Sequence, residues 1–135
     1  MQLETDEGTF TIDDVAALSS KLSRLNRESN QRAILLVAGE IYLQTAVHSN
    51  GFVIEKREGS EDRHFYAQFR GGRPPIPPPD PPPTRRWWHR LFPQLPVLAP
   101  GQHVFTDTEV LEIFELYFLG KPDPSYVEWI RGYGF

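Results

Sequence analysis

The chain has 135 residues, 39% hydrophobic and 13% aromatic, which is enough for one domain with a sizeable core and too few for two full ones. Cysteine is absent, which excludes a disulfide framework, a thiolate metal site and a cysteine nucleophile, and fits a reducing compartment. Fourteen Lys and Arg against eighteen Asp and Glu leave a net charge of -4, which opposes phosphate-driven nucleic-acid binding. No run approaches the roughly 18 apolar residues of a membrane span, and Met1 to Gly8 is acidic where a secretory signal is basic, so the chain reads as soluble and cytoplasmic.

Charge and proline are segregated. Residues 1–20 carry five acids and no Lys or Arg, and residues 101–135 carry six acids against Lys121 and Arg131. Between them, residues 71–100 hold Arg73, Arg85, Arg86 and Arg90 against only Asp80, together with eleven of the thirteen prolines. One domain over 1–135 is expected, with a body of 1–70 and 101–135 and a proline-rich arm of 71–100.

Taken in chain order, Thr9 to Thr11 reads as a short strand leading through Ile12 and the capping candidate Asp13 into a helix. Val15, Leu18, Leu22 and Leu25 recur every three or four residues and form its apolar stripe. Ala33 to Val37 is a continuous apolar run, Ala38-Gly39 a turn, and Glu40 to Val47 an alternating strand with Ile41, Leu43 and Val47 on one side. Asn50-Gly51 is a hairpin signal because both residues tolerate positive φ, and it leads into a strand over Phe52 to Arg57. The polar cluster Glu58 to Glu61 makes the next reversal before a strand over Arg63 to Phe69. In the closing segment, Thr106 or Asp107 caps a helix carrying Val110, Phe114, Tyr117 and Phe118 on one face, stopped by Gly120 and Pro122. Tyr126 to Phe135 follows as an irregular tail whose Tyr126, Trp129 and Phe135 dock on the core. The expected fold is α+β: an antiparallel meander of four to five strands, two helices on one face, and the opposite face left to water or a partner.

Catalytic chemistry is hard to find in this pattern. His48, His64, His89 and His103 lack the i, i+3 or i, i+4 spacing of a helical metal site, and no thiol completes a zinc shell. Ser60, Asp62 and His64 alternate suggestively, yet side chains two apart on a strand stand roughly 6.5 to 7 Å apart, beyond hydrogen-bond reach. Neither Gly71-Gly72 nor Gly132-Tyr133-Gly134 precedes a helix, so neither is a phosphate loop. Neither an enzyme nor a cofactor nor a metal is expected.

The stretch Pro74 to Pro83 cannot donate ladder hydrogen bonds, and a polyproline II arm of about 30 Å is expected from it. Behind it, Arg85-Arg86-Trp87-Trp88-His89-Arg90 is basic and aromatic, a composition enriched at binding hot spots, which makes Trp87 and Trp88 candidate partner contacts. Those aromatics could instead fold back on the core, and the PxxP spacing also permits an adaptor whose arm is bound by an SH3-type or WW-type domain.

The order of elements adds a resemblance. The strand-to-helix opening Gly8-Thr9-Phe10-Thr11-Ile12-Asp13-Asp14-Val15, the meander carrying Gly39-Glu40-Ile41-Tyr42-Leu43-Gln44 and Gly51-Phe52-Val53-Ile54-Glu55, and the late helix Thr108 to Phe114 followed by Trp129 resemble small bacterial immunity proteins. Those proteins neutralise toxins of contact-dependent and type VI secretion systems, and the likeness is to the group guarding against deaminase toxins. It covers residues 8–69 and 104–135, and the proline-rich arm departs from it. The resemblance implies inhibition by occlusion, with acidic side chains meeting the basic substrate-binding surface of a cognate toxin. On that reading Glu40, Glu55, Glu58, Glu61 and Asp62 are the contacting acids, with Tyr42 and Tyr66 as aromatic anchors.

Overall fold

The computed structural model describes residues 1–48, 51–72 and 103–132. Seven strands, β1 (Gln2–Thr5), β2 (Gly8–Thr11), β3 (Arg32–Ala38), β4 (Ile41–His48), β5 (Gly51–Glu58), β6 (His64–Phe69) and β7 (Val127–Arg131), form one antiparallel sheet in the order β2-β1-β3-β4-β5-β6-β7. Two helices, α1 (Val15–Leu22) and α2 (Asp107–Phe118), complete the α+β fold. The count exceeds the four to five strands expected because each end of the chain adds a strand, β1 inserted between β2 and β3 and β7 at the far edge. β1 has a single buried apolar residue, Leu3, too little for an alternation signal, and it is recruited by pairing with both β2 and β3. β7 is no irregular tail: Val127 to Arg131 pairs with β6 along its whole length. The proline-rich arm, with Trp87, Trp88 and His89, lies outside the described residues, as do Asn50 and Phe135.

Cross-strand register decides which side chains share a face. The row Leu3, Leu35, Leu43 and the row Ala33, Thr45, Ile54 point to one side. All six are at most 1% exposed, and the five apolar ones join Leu18 and Leu22 of α1 and Val110, Ile113 and Phe114 of α2 in one core. Each large side chain buried in that core contributes about 1.5–3 kcal/mol relative to exposure. Both helices therefore cover the same face, and they are joined to each other by the Ser19 hydroxyl donating to Glu115 Oε1 at 2.9 Å.

Helix ends follow from local chemistry. Asp14, rather than Asp13, caps α1 by accepting from the Ala17 N–H at 2.7 Å. Thr106 caps α2 in a capping box, its hydroxyl accepting from Glu109 N–H at 3.2 Å while Glu109 Oε1 accepts from Thr106 N–H at 2.8 Å. Gly120, at φ 67°, ends α2 in a Schellman motif, with Lys121 N–H donating to Leu116 C=O and Gly120 N–H to Tyr117 C=O.

The far face departs from expectation most. Its centre is not left to water: Ala46 and Val53 are 1% exposed, and Val104 packs on both. The cause is residues 103–105, which re-enter the sheet between the diverging ends of β5 and β6. Phe105 exchanges backbone hydrogen bonds with Phe52 at 2.7 and 2.8 Å, Phe69 N–H donates to His103 Nδ1 at 2.8 Å, and the Phe105 ring stacks on Phe69 at 4.7 Å.

Candidate functional site

Two turns meet at one end of the sheet. The β3–β4 reversal passes through Gly39 at φ 52°, a conformation costly for other residues, and carries Glu40. The β5–β6 reversal is closed by Arg63 N–H donating to Ser60 C=O and Glu58 N–H to Arg63 C=O, and it carries Glu61 and Asp62. Gly59 N–H donates to the Glu40 carbonyl at 3.1 Å and ties the turns together. Glu40 therefore shares one rim with Glu58, Glu61 and Asp62 of the later turn. Beside them Ile41 and Val37 are 41% and 44% exposed, among the most exposed large apolar side chains of the described residues.

Charge on this rim is partly offset. Arg57 Nη1 lies 3.2 Å from Glu40 Oε1, and Glu58 is bridged by Lys56 and by Arg63, each at 2.8 Å. The hydrogen bond from Lys56, then that from Arg63, holds the Glu58 carboxyl below its ordinary range. Asp62 is held low by a hydrogen bond from Ser60 and by its own backbone. Both acids are thus ionised at neutral pH, and Arg131 adds its charge to those of Lys56, Arg57 and Arg63 around the four acids.

The remaining candidates stand elsewhere. Tyr42 and Tyr66 are half-buried on the face away from the helices, Tyr42 opposite Arg57 and Tyr66 opposite Glu55. Glu55 is 0% exposed, which removes it from any outer acidic surface. Its Oε2 accepts from Gln44 Nε2 at 3.0 Å, and its Oε1 lies 3.4 Å from Nε2 of His64, itself 3% exposed. A carboxylate at the centre of a seven-stranded sheet is covered by neighbours on both sides, whereas the acids in turns stay wet. His64 thus meets Glu55, and not Asp62 or Ser60. The sequence reading missed this pair: a turn on Asn50-Gly51 sets Gln44 opposite Arg57, whereas the observed pairing of His48 with Gly51 sets it opposite Glu55, and Glu55 meets His64 through the β5–β6 pairing.

A groove of about 460 Å³ opens between the end of α1 and the start of α2, lined by Leu22, Leu25, Phe52, Thr106, Val110 and Leu111 among others. None of these residues was expected at a site. The capping box satisfies the Thr106 and Glu109 N–H groups at its mouth, and the groove mixes the polar side chains of Ser23, Thr106 and Asp107 with the apolar ones. Among the described residues no cluster of three His, Asp or Glu side chains is arranged to hold a metal ion, and no helix is long and apolar enough to cross a membrane.

The site and fold together define an α+β protein with a seven-stranded antiparallel sheet and an acidic, partly apolar rim. Comparison with protein-family models, with curated proteins and with solved structures finds no match to this chain.

Proposed function

We propose that the protein is a cytoplasmic immunity protein, which binds a cognate bacterial toxin domain, blocks the toxin's active site by occlusion and turns over no substrate. The observation that carries this reading is the Gly59 to Glu40 hydrogen bond, because it gathers Glu40, Glu58, Glu61 and Asp62 beside exposed Ile41 and Val37. An apolar centre with a charged rim is the usual anatomy of a protein-binding patch. A toxin cleft that binds nucleotides or nucleic acid is basic, and an acidic inhibitor with a net charge of -4 gains speed and orientation in approaching it.

The test takes the toxin encoded beside this gene and measures its inhibition and its affinity for the full chain. Reversing Glu40, Glu61 and Asp62 to Lys together should abolish neutralisation while far-UV circular dichroism stays unchanged. Unchanged affinity, or consumption of a metabolite by the purified chain alone, overturns the proposal. Deleting residues 74–83 separates it from the adaptor reading: neutralisation survives if the body inhibits and partner binding is lost if the arm is the ligand.

A further inference from the structure

We infer that β7 is a self-complementary edge through which two copies of this chain join their sheets. In an antiparallel ladder, alternate residues point both backbone groups toward the neighbouring strand, and the residues between point theirs away. Gly132 N–H donates to His64 C=O and Arg70 N–H donates to Tyr126 C=O, which fixes the phase: the backbone groups of Val127, Trp129 and Arg131 face outward. Those of Val127 are occupied, its N–H by Pro124 C=O at 3.0 Å and its C=O by Arg70 Nη2 at 3.3 Å. The N–H and C=O groups of Trp129 and Arg131 have no partner among the described residues.

Four outward groups spaced this way fit one register. With Ile130 on a two-fold axis, Trp129 of one copy lies opposite Arg131 of the other, and the two residues exchange a pair of backbone hydrogen bonds on each side of the axis. A register centred on Trp129 requires the Val127 groups, which are taken. The Ile130-centred pairing sets two half-buried isoleucines against each other on the face away from the helices. It also brings the exposed Arg131 toward Trp129 of the other copy, whose indole N–H is bonded to Asp123 Oδ2 at 2.9 Å, so a guanidinium meets a carboxylate at the seam. The opposite edge, β2, lacks this fit. Its backbone phase is the same, with Thr9 and Thr11 directed outward about Phe10, but those two residues carry no charge to pair across a seam, and the axial Phe10 stands on the helix-bearing face.

The described residues leave this edge uncovered, and pairing with a second copy covers it. The chain contains no cysteine, so one introduced thiol reports on one position. Opposed residues of a non-hydrogen-bonded antiparallel pair have Cα atoms about 4.5 Å apart, within disulfide range. Full-length Ile130→Cys should therefore oxidise to a covalent dimer, while Glu128→Cys, which faces Gly132 in this register, and Phe10→Cys should stay monomeric. Sedimentation of the wild-type chain should show a concentration-dependent species of twice the 15.5 kDa monomer. Arg131→Pro removes an outward N–H together with the guanidinium at the seam and should weaken association by roughly tenfold or more with the fold retained, because each copy loses one donor and one charge. A wild-type chain at 15.5 kDa at every concentration overturns the inference, as does equal cross-linking by Glu128→Cys or occupation of the edge by another protein's strand.

Discussion

Gly51 lies so close to Phe105 that a Cβ placed on it would stand 2.5 Å from the Phe105 carbonyl oxygen, and 2.4 Å from Val104 Cγ1. Residues 103–105 enter the sheet only because position 51 has no side chain. Gly51→Ala forces this segment outward and disturbs the Phe52–Phe105 bridge, at an expected cost of about 1–3 kcal/mol, as for overpacking in a core. Urea denaturation reads this as a lower midpoint. Gly39→Ala is the comparison: nothing lies within 4 Å of its Cβ, and the only penalty is its φ of 52°, about 1–2 kcal/mol. A Gly51→Ala protein as stable as wild type would remove the argument for a tight wedge.

The same glycine shows how much could be read from the residues. β4 and β5 do pair as a hairpin from His48 and Gly51, yet Gly51 belongs to β5 and is required for close approach and not for a positive φ. β3 to β6 and both helices were legible because their apolar periodicity runs five residues or more. β1 and β7 were not, since Gln2–Thr5 holds one buried residue and Val127–Arg131 mixes Glu, Trp and Arg, so pairing with neighbours decides both. On the rim, the acids of the two turns could be recognised as wet. That Gly59 bonds Glu40, and that Glu55 is buried, depend on contacts between strands that local composition does not encode.

Glu55 and His64 should behave as a coupled pair. Removing one of two buried polar neighbours leaves the other with an unmet polar group, at a typical cost of about 1–3 kcal/mol, whereas replacing both by apolar groups of similar shape costs much less. Glu55→Leu and His64→Leu are each expected to lower stability strongly, and the double variant should recover part of the loss. A double-mutant cycle from denaturant midpoints measures the coupling. Strict additivity would show that the 3.4 Å approach carries no energetic link.

The capping box of α2 offers a smaller and cleaner perturbation. Thr106→Ala deprives the Glu109 N–H of its acceptor and should cost about 1 kcal/mol, and Thr106→Ser should restore most of it. Because α2 closes the core over β4 and β5, the loss should appear in global unfolding and not as local fraying. Hydrogen exchange at the first turn of α2 distinguishes the two: protection falling only there, with an unchanged thermal midpoint, would contradict the expectation.

Tyr117 links the helix to the rim and gives the pH dependence its sign on both sides. Its phenol is pushed up to about 12, first by burial and then by the negative charges of Glu58 and Asp123. A folded value above the ordinary 10.0 means that its contribution to stability is complete below pH 10 and is lost as pH rises through about 12. Glu58 has the opposite sign: it is held below the ordinary 4.5 by Lys56 and then Arg63, so its contribution is present above pH 4.5 and is lost as pH falls through its depressed value. Solvent screening keeps the Glu58 effect small, and added salt should shrink it further. Phenolate absorbance, followed while circular dichroism reports an intact fold, should resolve one of the five tyrosines titrating near 12, and Tyr117→Phe should delete that step. In Glu58→Gln the step should move down only part of the way, because burial is the larger cause. Full reversion to 10.0 would make the rim charge, and not burial, the dominant influence on the phenol.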